Sequence, residues 1–219
     1  MQNVRVFFEK TGMTKYISHL DLMRCMTRAI KRAAIPAWYT EGFNPHLFIT
    51  FALPLTLGVE SLCESMDIRL TEEMGFEEVK NRLNVNLPDG IRITNVAVPV
   101  YKANDIAFAE YKITFHTRKN EKIKNEIEEK LLCDELLAEK MGKQGKRKVL
   151  KTINLKEFVN SYSVISLNDK TVLTAVLTAG NKNNINPNLF VDALKLGDDV
   201  DFCEILKQKM MTEDLKSFE

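Results

Sequence analysis

Apolar residues follow two alternating periods through the first hundred positions. Val4, Val6 and Phe8 occupy every second position of Val4-Arg5-Val6-Phe7-Phe8-Glu9, and Lys10-Thr11-Gly12 ends the run. That pattern predicts a strand. Leu22, Met23, Met26, Ile30 and Ala33 then repeat at helical spacing. They predict a helix from Ser18 to about Ala34 that turns these residues inward and Arg24, Arg28, Lys31 and Arg32 largely outward. Ser18 reads as the N-cap, accepting from the amide of Asp21, while Asp21 reaches back in a capping box near the positive end of the helix dipole. Pro36 stops the helix. A buried strand over 47–53, a half-buried strand over 64–70, a helix over 75–83, a turn at Pro88-Asp89-Gly90 and a strand over 91–96 follow. The order β-α-β-β-α-β predicts an α+β, ferredoxin-like sheet with two helices on one face.

Lys102-Ala103-Asn104-Asp105 reads as a linker. Beyond it the pattern predicts a strand over 111–116 and a helix carrying Ile123, Ile127 and Leu131. Two hairpins follow, 136–141 with 147–155 and 162–167 with 171–178, then a short helix opening at Asn186-Pro187. These elements suit a second α+β unit, and a second ferredoxin-like fold is open to them. The divisions expected are 1–101, 102–197 with its basic hairpin, and 198–219. The last is an acidic stretch whose Phe202, Ile205, Leu206 and Met210 suggest a tail or docking helix.

Composition narrows the function classes. The 219 residues suit one large domain or two small ones, and a net charge of +1 excludes a polycation. Cys25, Cys63, Cys133 and Cys203 lie far apart with no C-x-x-C spacing, so the expectation is reduced thiols and no zinc or iron–sulfur site within the chain. The N-terminal residues lack an apolar signal region, and no run is long enough to span a bilayer. The expected compartment is the cytoplasm.

The near-zero total conceals a segregated surface. Lys10, Lys15, Arg24, Arg28, Lys31 and Arg32 lie around the first helix. Lys140, Lys143, Lys146, Arg147, Lys148 and Lys151 crowd the first hairpin of the second half without an acid among them. Phosphate binding needs such local potential rather than a high overall charge. Tyr16, Trp38, Tyr39 and Phe43 near the first cluster suit base stacking in single-stranded RNA. Solvated helix faces and edge-protecting lysines give the same pattern without any ligand.

His19 and His46 both lie in the stretch between Lys15 and Glu64. Either would serve as a general acid or base near neutral pH. With Asp21 they would also make a two-histidine, one-carboxylate metal site. As structural residues, His19 would donate to a backbone carbonyl in the first helical turn, and His46 would pin the Asn44-Pro45 turn. A ten-residue return from Ala34 to Asn44 is long enough to run back along the helix. It would gather Ser18, His19, Asp21, Arg24, Phe43, Asn44 and His46 into one polar pocket.

Ser18-His19-Leu20-Asp21-Leu22-Met23-Arg24, Arg28-Ala29, Gly42-Phe43-Asn44-Pro45-His46 and Phe51-Ala52-Leu53-Pro54-Leu55, with Leu57-Gly58-Val59-Glu60-Ser61, closely resemble the radical SAM-linked protein family, a bacterial domain of unknown function. The resemblance is specific over the first half and general over the rest. It implies an accessory role beside a radical SAM protein, fused or encoded next to it, in RNA or ribosome-related chemistry. Genes for an RNase E/G-type ribonuclease and ribosomal proteins often lie nearby. The iron–sulfur cluster and S-adenosylmethionine would then belong to the partner, and this chain would hold no cofactor and no metal. The sequence departs from the family at His46-Leu47, where His-Pro is usual, and at Ile153-Asn154-Leu155-Lys156-Glu157, where an Asp-Ile-Arg-Pro-like segment is usual. Three functions remain open on these grounds. The first is an RNA-binding accessory protein using Lys10, Lys15, Arg28, Lys31, Arg32, Lys143, Lys146, Arg147 and Lys148. The second is an endoribonuclease, similar to the metal-independent enzymes of CRISPR RNA processing, with His19 as base and Lys15 or Tyr16 assisting. The third is a docking module that meets the radical SAM partner through Trp38, Phe43 and Phe48.

Overall fold

The computed structural model describes residues 1–144, 147–180 and 183–218, without the side chains of 143–148. Strand β1 (Gln2–Lys10) buries Val4, Val6 and Phe8. Helix α1 (His19–Arg32) lays Leu22, Met26, Ala29 and Ile30 into the same core. Each fully buried Leu, Ile or Met contributes roughly 1.5–3 kcal/mol. β2 (Ile49–Phe51), β3 (Glu60–Leu70), α2 (Phe76–Asn86) and β4 (Ile91–Ala97) follow. β3 and β4 flank β1 antiparallel, with Val6 opposite Met66 and Val96, and β2 pairs antiparallel with β3. The spatial order fourth-first-third-second is the split-βαβ arrangement expected from the sequence.

The chain divides into two compact units. One is Met1–Ile106 with Lys207–Glu219, and the other is Ala107–Leu206. The second contains β5 (Ile106–His116), α3 (Asn120–Leu132), a β6 (Leu137–Gln144) and β7 (Arg147–Asn154) hairpin, β8 (Val159–Leu167), β9 (Lys170–Thr178) and α4 (Pro187–Leu194). β10 (Phe202–Thr212) begins in this unit and ends in the first. The order β10-β5-β9-β8 repeats fourth-first-third-second, with the β6–β7 hairpin inserted after α3 as its own two-stranded sheet. Both units are therefore α+β with ferredoxin-like topology. Residues expected to make a tail or docking helix form β10 instead. Ile205 and Lys207 are buried at alternate positions, a period-two signal that the apparent helical stripe through Phe202, Ile205, Leu206 and Met210 obscured.

Local chemistry sets the ends of α1. Ser18 Oγ accepts from the Asp21 amide, and the Asp21 carboxylate returns to the Ser18 hydroxyl at 2.7 Å rather than to its backbone amide. At the other end Ala34 takes a left-handed φ of 50°, and the Ile35 amide donates to Ile30 O in a Schellman-type closure. Arg82 of α2 reaches the carbonyls of Ala33 and Ala34 at 3.5 and 3.4 Å, while Arg32 of α1 donates to Asn86 O at 2.6 Å. Each helix thus places a guanidinium at the other's negative end. Gly90, at φ +86°, fits the approach to α1. A Cβ there would lie 2.6 Å from Thr11 O, whose residue donates its amide to Gly90 O.

Charges lie inside the first unit. Arg5 is 1 % exposed and makes a two-pronged pair with Asp67 at 2.7 and 2.8 Å, and its guanidinium also lies 4.6 Å from the Phe218 ring centre. Lys10, expected on an RNA-facing surface, is 2 % exposed and points to the carbonyls of Lys15 and Ile17, both at 3.4 Å. Burial pushes the Lys10 ammonium below its usual range; Glu64 opposes that shift and Lys207 adds to it. Lys207 pairs with Glu64 at 2.5 Å.

Two expectations follow for stability. Asp67→Ala leaves the buried Arg5 charge unmatched and should lower unfolding free energy by about 3–5 kcal/mol, read from urea midpoints. Ala34→Gly removes the strain of a left-handed alanine on an exposed turn and should raise it by about 1 kcal/mol in the same measurement.

Candidate functional site

Because α1 commits Leu22, Met26 and Ile30 to the core, residues 24, 28 and 32 share another side of it at four-residue spacing. Arg24, Arg28 and Arg32 form a stripe about 12 Å long, at a rise of ~1.5 Å per residue. With Asp21 and Cys25 they line one wall of an open groove of about 640 Å³, and Val85, Asn86, Leu87 and Pro88 at the end of α2 line the other. Three arginines against one aspartate leave this wall positive.

The three arginines are committed to different degrees. Arg32 is tied to Asn86 O and shapes the groove. Arg24 pairs with Asp21 at 3.0 Å, with both side chains more than half exposed, so an incoming anion displaces a weak contact. The Asp21 carboxyl is held below the usual range by the Ser18 hydroxyl first and Arg24 second. Arg28 is exposed and has no hydrogen bond or ion pair among the described residues. Burial pushes the Cys25 thiol up, against a smaller opposing pull from Arg32 and Arg28, which works against thiolate formation.

The stripe continues toward a small hairpin. Lys31, in the last turn of α1, sits 5.5 Å from the centre of the Tyr39 ring. Tyr39 bridges to Leu47, the Thr40 amide donates to His46 O at 2.8 Å, and the His46 amide donates to Thr40 Oγ1 at 3.1 Å. His46 Nδ1 lies 3.0 Å from Thr40 Oγ1 and 3.3 Å from Asn44 O. Asn44 and His46 therefore belong to a self-contained turn with Phe43 fully exposed at its tip.

His19 occupies the opposite end of α1, its ring edge-on to Phe51 at 5.1 Å. Ser18, Asp21 and Arg24 are joined to one another, and Asn44 and His46 are joined through the turn. Among the described residues no hydrogen bond, ion pair or ring contact links these two groups. Nor is any set of three His, Cys, Asp or Glu placed to hold a metal ion among them.

The remaining candidates are distributed as follows. Lys15 is half-buried and pairs with Glu60 at 3.3 Å, and its ammonium lies 5.5 Å from the Tyr16 ring centre. Trp38 and Phe48 pack on each other at 5.7 Å, and the Arg69 guanidinium lies beside both rings, at 5.0 and 5.1 Å. In the basic hairpin, Lys140 stands opposite Lys151, and both are exposed. Lys143 stands opposite Lys148 in backbone register. Lys146 and the side chains of Lys143, Arg147 and Lys148 lie outside the described residues. The groove's second wall, residues 85–88, went unread in the sequence. Only helix packing brings the end of α2 beside α1, and Val85-Asn86-Leu87-Pro88 carries no local mark of it.

No curated protein matches the chain. Among solved structures it is similar to one described as the crystal structure of a Cbf5-Nop10-Gar1 complex, at 11 % identity and a TM-score of 0.48. The match covers 96 % of this chain and 50 % of that one, so the chain spans half the length of the structure it matches. A family model described as an uncharacterized protein conserved in bacteria, DUF2344, matches residues 3–187. The elements from α1 to β9 and the arginine-lined groove fall within the matched span, and the chain belongs to that bacterial family.

Proposed function

We propose that the protein binds RNA and serves as an accessory to a separate radical SAM enzyme in RNA or ribosome-related modification or processing. The observation that carries the RNA half is the stripe of Arg24, Arg28 and Arg32 along an open groove. Guanidinium groups at a four-residue helical spacing present forked donors that suit phosphate oxygens bidentately. Arg28 is available without breaking a contact, and Arg24 after breaking one exposed pair. The exposed Lys140 and Lys151 pair adds a second region of like charge, which opposes hairpin pairing and gains from a polyanion. The radical SAM half rests on the family resemblance of the Ser18–Arg24 and Gly42–His46 motifs. The endoribonuclease reading lacks an observation in its favour: His19 packs on Phe51, and no hydrogen bond positions its ring among the described residues.

Binding of RNA should weaken by roughly 20-fold between about 50 and 200 mM salt if three phosphates are neutralised on a single strand. Arg28→Ala should reduce the log–log salt slope by about 0.7, the loss of one phosphate contact on a single strand. Filter binding that retains no RNA at either salt concentration rejects the RNA reading. The partner reading predicts co-elution with the neighbouring radical SAM protein in gel filtration at micromolar concentration. Separate elution of the two chains defeats it.

A further inference from the structure

We propose that the RNA held by this groove is single-stranded, and that the hairpin from Tyr39 to Leu47 stacks its bases on Tyr39 and Phe43. This inference rests on the RNA-binding reading above and extends it to the class of RNA. Its first support is Phe43. A fully exposed phenylalanine forgoes roughly 1.5–3 kcal/mol of burial, and the turn that carries it is held at several points. The bridge from Tyr39 to Leu47, the two Thr40–His46 backbone contacts and the His46 ring against Thr40 and Asn44 fix its stem. Gly42, at φ +118°, supplies the bend that presents the ring. Phe43 is thus held outward rather than left over from the core.

The second support is continuity. Tyr39 is 39 % exposed and lies against Lys31, which is one helical turn beyond Arg28. Phe43 lies four residues past Tyr39, so their Cα atoms are at most about 13 Å apart. The arginine stripe leads into Lys31, then Tyr39, then Phe43. Phosphate-binding cations beside aromatic faces are what a single strand requires, since each unpaired base offers a face for stacking. A duplex keeps its bases stacked within, and its deep major groove admits no side chain. Of the other rings expected to stack, Trp38 lies against Arg69 and Phe48, while Tyr16 is exposed beside Lys15 ahead of α1. A protein partner is less favoured, because interface cores are depleted of lysine and Lys31 borders this aromatic edge.

The test is fluorescence anisotropy on the full chain, using a labelled mixed-sequence oligoribonucleotide as a single strand and as its blunt duplex. The wild type should prefer the single strand. Phe43→Ala should weaken single-strand binding about tenfold, by loss of one stacked base. It should leave duplex affinity and the salt slope unchanged, and Phe43→Trp should restore the wild-type value. If Phe43→Ala binds the single strand as tightly as the wild type, or if the wild type prefers the duplex, the stacking proposal falls while RNA binding stands. If the wild type binds neither RNA, the RNA reading itself fails. If Phe43→Ala keeps its RNA affinity but loses co-elution with the radical SAM protein, Phe43 belongs to a protein interface and the proposal is overturned.

Discussion

Everything about the first unit depends on how α1 is rolled on its sheet. Leu22, Met26, Ala29 and Ile30 must face Val4, Val6, Phe8 and Met66, and no other rotation buries them together. That constraint sends Arg24, Arg28 and Arg32 along the groove and leaves Lys31 beside Tyr39. A helix slipped by one residue would swing each side chain by about 100° and break the stripe. The exchange of Arg32 and Arg82 between the helix ends then holds the second wall of the groove in place. The candidate site is thus a by-product of core packing, which gives it rigidity without a dedicated loop.

The interior of the same unit carries charge that its surface could have used. Arg5, Lys207 and Glu64 are taken out of water at a cost of several kcal/mol per ion, while Asp67, the partner of Arg5, stays partly exposed. Close pairing offsets that cost, and removal of one partner exposes it. Lys10 shares this interior with backbone carbonyls at 3.4 Å, the opposing field of Glu64 and the adding field of Lys207, and burial dominates and lowers its pKa. A lysine there supports the backbone entering α1, through Lys15 O and Ile17 O, rather than any ligand. The period that buries Val6 and Phe8 carries Lys10 to the same face, so its position was implicit in the strand pattern while its charge suggested the opposite.

Repetition of topology has not repeated the site. α3 occupies the place in the second unit that α1 occupies in the first, yet it carries Glu126, Glu128 and Glu129 where a basic stripe would be needed. Lys119 at its N-cap and Lys122 in its first turn both reach Asp199 at 2.6 Å, and together they hold that carboxyl at about 2. Two units of one fold therefore carry different charge patterns on the corresponding helix, as expected when function is placed on side chains rather than on backbone architecture. The basic character of the second unit lies instead in its inserted β6–β7 hairpin.

The sequence by itself determined the elements of the first unit, the cap at Ser18, the stop near Pro36 and the outward direction of the α1 arginines. These are local: they depend on period, on residues three or four apart and on turn chemistry. It also implied the two-unit layout through the spacing of strands and hairpins. It did not determine β10, whose alternation was masked by apolar residues that also fit a helix and whose neighbours in the sheet are distant in sequence. Nor did it determine the groove, because Val85–Pro88 meets Arg24–Arg32 only after both helices settle on one sheet. The separation of His19 from the His46 turn, the burial of Arg5 and Lys10, and the exposure of Phe43 were likewise decided by tertiary packing. Burial is a property of what covers a residue, and the covering segments here lie tens to hundreds of positions away, beyond the reach of any local pattern.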